Sequence, residues 1–236
     1  MPHDQPNRVA VGQNEVSIEV DGLNLEGTLV LPGDAKGMVI FAHGSGSSRH
    51  SPRNRFVSEV LQKHEVATLL FDLLSPHEDS IDRRTAEFRF DIDLLAKRLM
   101  GVTRWVVENP QLKDLAIGYF GASTGAAAAL VAAARLRDLV SAVVSRGGRP
   151  DLAAEDLEGV RAHTLLLVGS LDDTVIELNR QALARMTHAP KELVIIPGAS
   201  HLFEEPGTLE IVAQLAAQWM IYYLGQARDG NLRTEE

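Results

Sequence analysis

The chain of 236 residues contains no cysteine. Disulfide bridges, thiolate metal sites and a cysteine nucleophile are excluded together. The lack suits a reducing compartment, and a cytoplasmic protein is expected. No apolar run approaches the roughly 20 residues of a membrane span. The opening stretch MPHDQPNRVAVGQ is polar and has no apolar core of a signal peptide. Basic residues are in deficit, 23 against 32 acidic, for a net charge of −9. That argues against nucleic-acid partners and against attraction to anionic membranes. Internal repeats, low-complexity tracts and linkers are also missing. What remains is an apolar content of 45%, ample for a sizeable core. One domain over residues 1–236 is expected, with a polar lead-in at 1–13, a polar tail at 226–236, and a small-molecule substrate. Composition leaves the oligomeric state open.

Apolar periodicity supplies the elements. Val16, Ile18 and Val20 alternate as in a half-buried strand, and Asp21-Gly22 is a turn signal. Leu23, Leu25, Leu29 and Leu31 continue as a second strand, which makes an antiparallel hairpin. From residue 38 the pattern changes to short continuous apolar runs, as in strands covered on both faces. Strands are predicted at 38–42, 66–71, 115–120, 140–145, 164–168 and 193–196. Helices are predicted at 54–64, 87–108, 124–137, 176–187 and 208–224. The stretch Ser75 to Arg84 is polar and reads as a loop. This alternation is that of a doubly wound, mostly parallel sheet of about eight strands. The short connection between the strands at Val140 and Thr164 leaves no room for a substantial lid domain.

The most informative stretch is LAIGYFGASTGAAAAL, residues 115–130. It reads as strand, tight turn and alanine-rich helix, and the turn Gly121-Ala122-Ser123-Thr124-Gly125 fits G-x-S-x-G, a nucleophile elbow. A strand that reverses at once into a helix strains the apex residue, so residues two before and two after must lack side chains. The hydroxyl of Ser123 is then held clear of the backbone, beside the N-terminal amides of the following helix.

In open α/β sheets ligands sit beyond the carboxyl ends of the strands. The residues at those ends are Ser45 and its loop, Asp72, Ser123, Arg146, Asp172 and His201. A serine, a carboxylate and an imidazole follow in the order Ser…Asp…His. His201 is the candidate base, because it alone of the eight histidines follows a late strand at its carboxyl end. His163 precedes its strand, His64 and His188 fall near helix C-termini, and His43 reads as a loop histidine bonded to backbone. Serine is a weak nucleophile until a base takes its proton. An acid at Asp172 would orient the imidazole and stabilise its charged form. Spacing leaves Asp172 and Asp173 open, with Asp151 a distant third.

The motifs FAHGSGSS, GYFGASTG, LLLVGSLDD and IIPGASHLF together resemble the α/β-hydrolase superfamily, and within it the small, lidless dienelactone-hydrolase-like group, over about residues 14–225. The resemblance implies an α/β-hydrolase fold and selects Asp172, three residues after Gly169 and three before Val175. Asp173 is then expected to cap the next helix. The resemblance also implies an oxyanion hole formed by the backbone N–H groups of Thr124 and Ser45. The group's namesake enzymes carry a cysteine where this chain has Ser123, which favours ordinary serine ester chemistry over a dienelactone. No cofactor and no metal are expected, and His77-Glu78-Asp79 reads as a solvated loop.

Four arginines follow strands that open on the site. Arg146, Arg149 and Arg49, with Arg53, could bind an anionic substrate group or pair with the many acids of the chain. The expectation is a serine hydrolase of carboxylic esters or thioesters acting through an acyl-enzyme. Hydrolysis of a lactone, amide or carbon–carbon bond is the alternative, as is a catalytically weak ligand-binding protein on the same fold.

Overall fold

A computed structural model describes residues 9–188 and 190–228. Most of the lead-in and most of the tail lie outside the described residues. Eight strands form one sheet: β1 (Gly12–Val20), β2 (Leu23–Leu31), β3 (Met38–Ala42), β4 (Ala67–Phe71), β5 (Ile117–Ala122), β6 (Val140–Arg146), β7 (His163–Gly169) and β8 (Lys191–Ile196). Their spatial order is β1-β2-β4-β3-β5-β6-β7-β8. The β1–β2 and β2–β4 pairs are antiparallel, and every pair from β4 onward to β8 is parallel. Asp21 and Gly22 both take positive φ, 51° and 77°, the geometry of the tight hairpin turn that joins β1 to β2.

Both faces of the sheet are covered. The helices are α1 (Pro52–Lys63), α2 (Pro76–Thr85), α3 (Ile92–Glu108), α4 (Thr124–Leu136), α5 (Asp173–Arg185) and α6 (Thr208–Arg228). Strand β3 shows how the core divides. Met38, Ile40 and Ala42 join Leu99 of α3 and Leu130 of α4 in one cluster. Val39 and Phe41 join Leu61 of α1 and Met220 of α6 in the other. Side chains of a strand alternate between faces, so an unbroken apolar run serves two cores at once.

Three expectations are corrected. The polar stretch after Ser75 is helix α2, not a loop. Its ten residues contain a single apolar side chain of any size, Ile81, so no 3.6-residue periodicity could show. The signal lay in its start: Ser75 accepts from Glu78 N, Glu78 reaches back to the Ser75 amide, and Pro76 occupies the first turn, a full capping box. Helix α3 begins at Ile92 and not at Glu87, because the Asp91 carboxylate accepts the Leu94 N–H as its N-cap. Helix α6 runs past Leu224 to Arg228.

The sheet reverses its winding at β3, which lies between β4 and β5. Helix α1, after β3, covers one face, whereas α4, after β5, covers the other. A crevice opens where the two chains diverge, at the carboxyl ends of β3 and β5. Its floor is tight. A Cβ on Gly121 would sit 2.4 Å from Ala126 Cα, and one on Gly125 would sit 2.2 Å from the Ala42 carbonyl oxygen. Gly125→Ala is therefore expected to destabilise the fold by at least ~2 kcal/mol in urea unfolding. Gly225→Ala in α6, where a Cβ meets nothing within 4 Å, is expected to stabilise it by ~0.5 kcal/mol.

Candidate active site

Ser123 sits between β5 and α4 with φ 51° and ψ −120°, a conformation that costs a non-glycine residue of order 1–3 kcal/mol. Main-chain bonds from β6 and from the loop after it hold it there. Ser123 N–H donates to the Arg146 carbonyl at 3.2 Å, and Arg149 N–H donates to the Ser123 carbonyl at 3.2 Å. The Ser123 hydroxyl forms no hydrogen bond to another described residue. It opens instead on a cavity of about 250 Å³ that His201, Arg146, Arg53, Asn54 and Ser45 also line.

His201 and Asp172 come together from loops that follow different strands. His201 Nδ1 lies 2.6 Å from Asp172 Oδ2. The loops are stitched by the backbone: Ser170 N–H donates to the Ile196 carbonyl at 2.9 Å and Leu171 N–H to the Ala199 carbonyl at 3.0 Å. Gly169 lets them close, since a Cβ there would stand 2.3 Å from the Ala199 oxygen. The helix-capping expectation shifts by one residue. Asp172, not Asp173, occupies the N-cap position of α5, yet its side chain makes no capping bond. The carboxylate that would ordinarily cap the helix is committed to the imidazole instead.

The loop after β3 brings Gly44 against the elbow: a Cβ on Gly44 would be 3.2 Å from Ser123 Cβ. His43 sets this loop. Its Nδ1 lies 3.0 Å from the Gly44 carbonyl oxygen and its Nε2 lies 3.0 Å from the Leu73 amide nitrogen. A carbonyl can only accept and an amide N–H only donate, so the ring is neutral with its proton on Nδ1. In a trans peptide the carbonyl and the following N–H point opposite ways. By holding the Gly44 carbonyl, His43 turns the Ser45 N–H to the other side of the loop. The Ser45 and Thr124 hydroxyls bond each other at 3.0 Å. Thr124 is the first residue of α4, so its N–H has no acceptor within the helix.

The sequence left the four arginines equivalent, and the structure separates them. Arg49 pairs with Asp72 through both its amide and its guanidinium. Arg149 pairs with Asp151 through two bonds, 2.8 and 2.7 Å. Arg146 and Arg53 line the cavity beside Ser123. Of the supposed loop cluster, Glu78 is engaged on α2 with the Ser75 amide and with Arg98 at 3.0 Å.

Helix α2 supplies what sequence reasoning missed. With the segment after it, α2 walls a second cavity of about 230 Å³ that reaches Ser45 and Thr124 from the other side, lined by Leu74, Pro76, Asp79 and Arg89 among others. The Asp82 carboxylate fixes this wall by accepting the Phe88 and Arg89 amides at 2.8 and 2.9 Å.

Burial holds the His43 imidazole below its ordinary value of 6.5, against the opposing pull of the Gly44 carbonyl and of Asp72 and Asp79. Below pH 6.5 the unfolded chain takes up a proton there before the folded one does. The stability this group contributes is complete above pH 6.5 and is lost as pH falls toward the folded-state value. The Tm of the parent protein should therefore drop more steeply between pH 7 and about 5.5 than that of His43→Gln.

A family model, the Dienelactone hydrolase family, matches residues 56–227. A crystal structure of dienelactone hydrolase from Anabaena variabilis is 58% identical, covers 90% of this chain and 98% of its own, and superposes with a TM-score of 0.88. A serine hydrolase without lid from Xanthomonas campestris shares the fold at 18% identity and TM-score 0.72, covering 92% of this chain and 97% of its own. Putative phosphoribosyl transferases of Mycobacterium tuberculosis are 55% identical over 210 residues, 89% of this chain but 46% of theirs. The chain thus spans about half the length of the curated relatives it matches. Model, identity and coverage agree with the geometry of the sheet and its crevice: the chain belongs to the dienelactone hydrolase family and carries an α/β-hydrolase fold.

Proposed function

We propose that this hydrolase cleaves carboxylic esters or thioesters through an acyl-enzyme, with Ser123 as nucleophile, His201 as general base and Asp172 as the acid that orients it. The observation that carries this reading is the 2.6 Å contact between His201 Nδ1 and Asp172 Oδ2, made on the rim of the cavity onto which Ser123 opens. The carboxylate fixes the proton on Nδ1, which leaves Nε2 with a lone pair for the serine proton. In free enzymes the serine–imidazole bond is frequently long and tightens only in the Michaelis complex.

The reaction follows from these roles. Ser123 Oγ attacks the carbonyl carbon as its proton passes to His201. The oxyanion is received by the N–H groups of Thr124 and Ser45, each such donor typically lowering the barrier by about 3 kcal/mol. His201 then gives the proton to the leaving alkoxide or thiolate, and water repeats the sequence in reverse order to release the acid. The two cavities meet at Gly44, Ser45 and Ser47, which suits one for the acyl part and the other for the leaving part. Phosphoribosyl transfer is in the name of proteins about twice as long, of which this chain covers 46%.

Turnover of a short-chain p-nitrophenyl ester should vanish in Ser123→Ala with the Tm retained, and a fluorophosphonate should label the parent at Ser123. Asp172→Asn should lower kcat roughly 10⁴-fold, as loss of the orienting carboxylate does in serine triads. Labelling elsewhere, or none, would remove the nucleophile from this reading.

A further inference from the structure

The four residues Arg146 to Arg149, at the end of β6 and just beyond it, back both Ser123 and His201 with their main chain. The Arg146 carbonyl accepts the Ser123 N–H and the Arg149 N–H donates to the Ser123 carbonyl, each at 3.2 Å. Gly147 lies against His201, where a Cβ would stand 3.0 Å from the His201 carbonyl oxygen. Gly148 is seated so tightly that a Cβ would stand 1.9 Å from Ser145 Oγ. The Arg146 side chain turns away to the cavity wall. It has no carboxylate within ion-pair distance among the described residues, and its polar contact there is a long one, from Nη2 to the Asn54 amide oxygen at 3.4 Å.

The peptide plane between Gly148 and Arg149 is held from outside this segment. Asn179 lies on α5 and is fully buried. Its Nδ2 donates to the Gly148 carbonyl at 3.0 Å and to the Val175 carbonyl at 2.8 Å. Both partners can only accept, so the orientation of the amide is settled. Its Oδ1 is then buried without a partner. An unanswered amide oxygen in a core costs stability, and a leucine of the same shape has no such atom. The amide nevertheless stands here, where it grips a carbonyl directly behind the nucleophile. In a trans peptide the C=O and the following N–H point opposite ways. Asn179 holds the Gly148 carbonyl, which sends the Arg149 N–H the other way, onto the Ser123 carbonyl. That bond in turn sends the Thr124 N–H away from the Ser123 carbonyl. The Ala126 N–H shares the same carbonyl at 3.1 Å, but the Arg149 bond is the one that comes from outside α4. Amides bonded head to tail in this way also polarise one another.

We propose that Asn179 is a positioning residue of the oxyanion hole, which aims the Thr124 N–H through the Gly148–Arg149 and Ser123–Thr124 peptide planes. The inference rests on the reading of Ser123 as nucleophile and adds a residue that touches neither the substrate nor the triad. It gives the two oxyanion donors one design. His43 turns the Ser45 N–H by holding the Gly44 carbonyl, and Asn179 turns the Thr124 N–H by way of one further plane.

Two variants test it. Asn179→Leu keeps the heavy-atom count and removes the donors. Asn179→Thr keeps a hydroxyl for the Val175 carbonyl one turn back but is too short to reach Gly148. In both, kcat on a p-nitrophenyl ester should fall ~10- to 100-fold, less than the loss of a whole oxyanion donor, while KM is held. The affinity of a trifluoromethyl ketone, whose serine adduct places an oxyanion in the hole, should weaken by the same factor as kcat. The pH midpoint of kcat should not move, because the contact of His201 with Asp172 is untouched. Ala182→Gly is the control: it loosens the same helix away from the relay, so its Tm should fall with kcat unchanged. Hydrogen exchange at the Arg149 amide, followed by NMR, should be at least ~10-fold faster in Asn179→Leu than in Ala182→Gly, as loss of a held hydrogen bond requires. Exchange reads the relay even where no ester is turned over, and fluorophosphonate labelling of the parent reads the nucleophile independently. The proposal is overturned if the Asn179 variants lose stability with kcat unchanged, if kcat falls with a shifted pH midpoint, or if Arg149 exchange matches that of the control.

Discussion

Everything in this molecule is arranged around a strained serine. Ser123 is held at φ 51° and ψ −120°, and no local preference of a serine would place it there. The conformation persists because neighbouring elements over-determine it. The Arg146 carbonyl and the Arg149 amide clamp the two sides of the residue. Helix α4 then starts so close to β3 that only glycine fits at 125, with the Ala42 carbonyl 2.2 Å from where a Cβ would be. The alanine run continues that logic, since small side chains let the helix lie close on the sheet while it stays buried along most of its length. Strain at one residue thus sets the composition of the dozen that follow.

A second constraint is electrostatic. The chain is strongly acidic overall, at −9, yet the rim of the sheet gathers arginines. Most are answered: Arg49 by Asp72, Arg149 by Asp151. His43 contributes by carrying no charge at all. Its two ring nitrogens are occupied by one backbone acceptor and one backbone donor, an arrangement that only the neutral ring satisfies. The cavity beside Ser123 is left with a neutral loop on one wall, a His–Asp pair on another and the unmatched guanidinium of Arg146 on a third. Field and shape there are decided by which charges were cancelled elsewhere.

Much of this was legible in the chain because the periodicities are strong. Strand β3 was read to the residue, since a five-residue apolar run between Gly37 and the polar His43-Gly44 pair leaves little latitude. The elbow was legible because its glycines have a steric reason. Where the pattern was weak the reading failed in a physically consistent way. Helix α2 is stabilised by its capping box and by ion pairs such as Arg83–Asp79, not by an apolar stripe, so hydrophobic periodicity was blind to it. The helix α3 boundary was set by the Asp91 cap, and Phe88 and Phe90 ahead of it carried the apolar pattern past that boundary. Asp172 took the N-cap position expected of Asp173 because the backbone bonds of Ser170 and Leu171 to the β8 loop fix where the turn ends.

The sequence by itself determined the order of the strands and of every helix but α2, the elbow and the identity of the residues at the strand ends, because each is written in spacing that short-range sterics and burial enforce. It could not say which of four arginines is free, that His43 steers the Ser45 amide, or that α2 walls a second cavity. Those depend on contacts between residues far apart in the chain, such as Asn54 with Arg146 or Leu73 with His43. Charge pairing and the direction of a peptide plane are properties of the assembled neighbourhood, and only the tertiary structure brings that neighbourhood together.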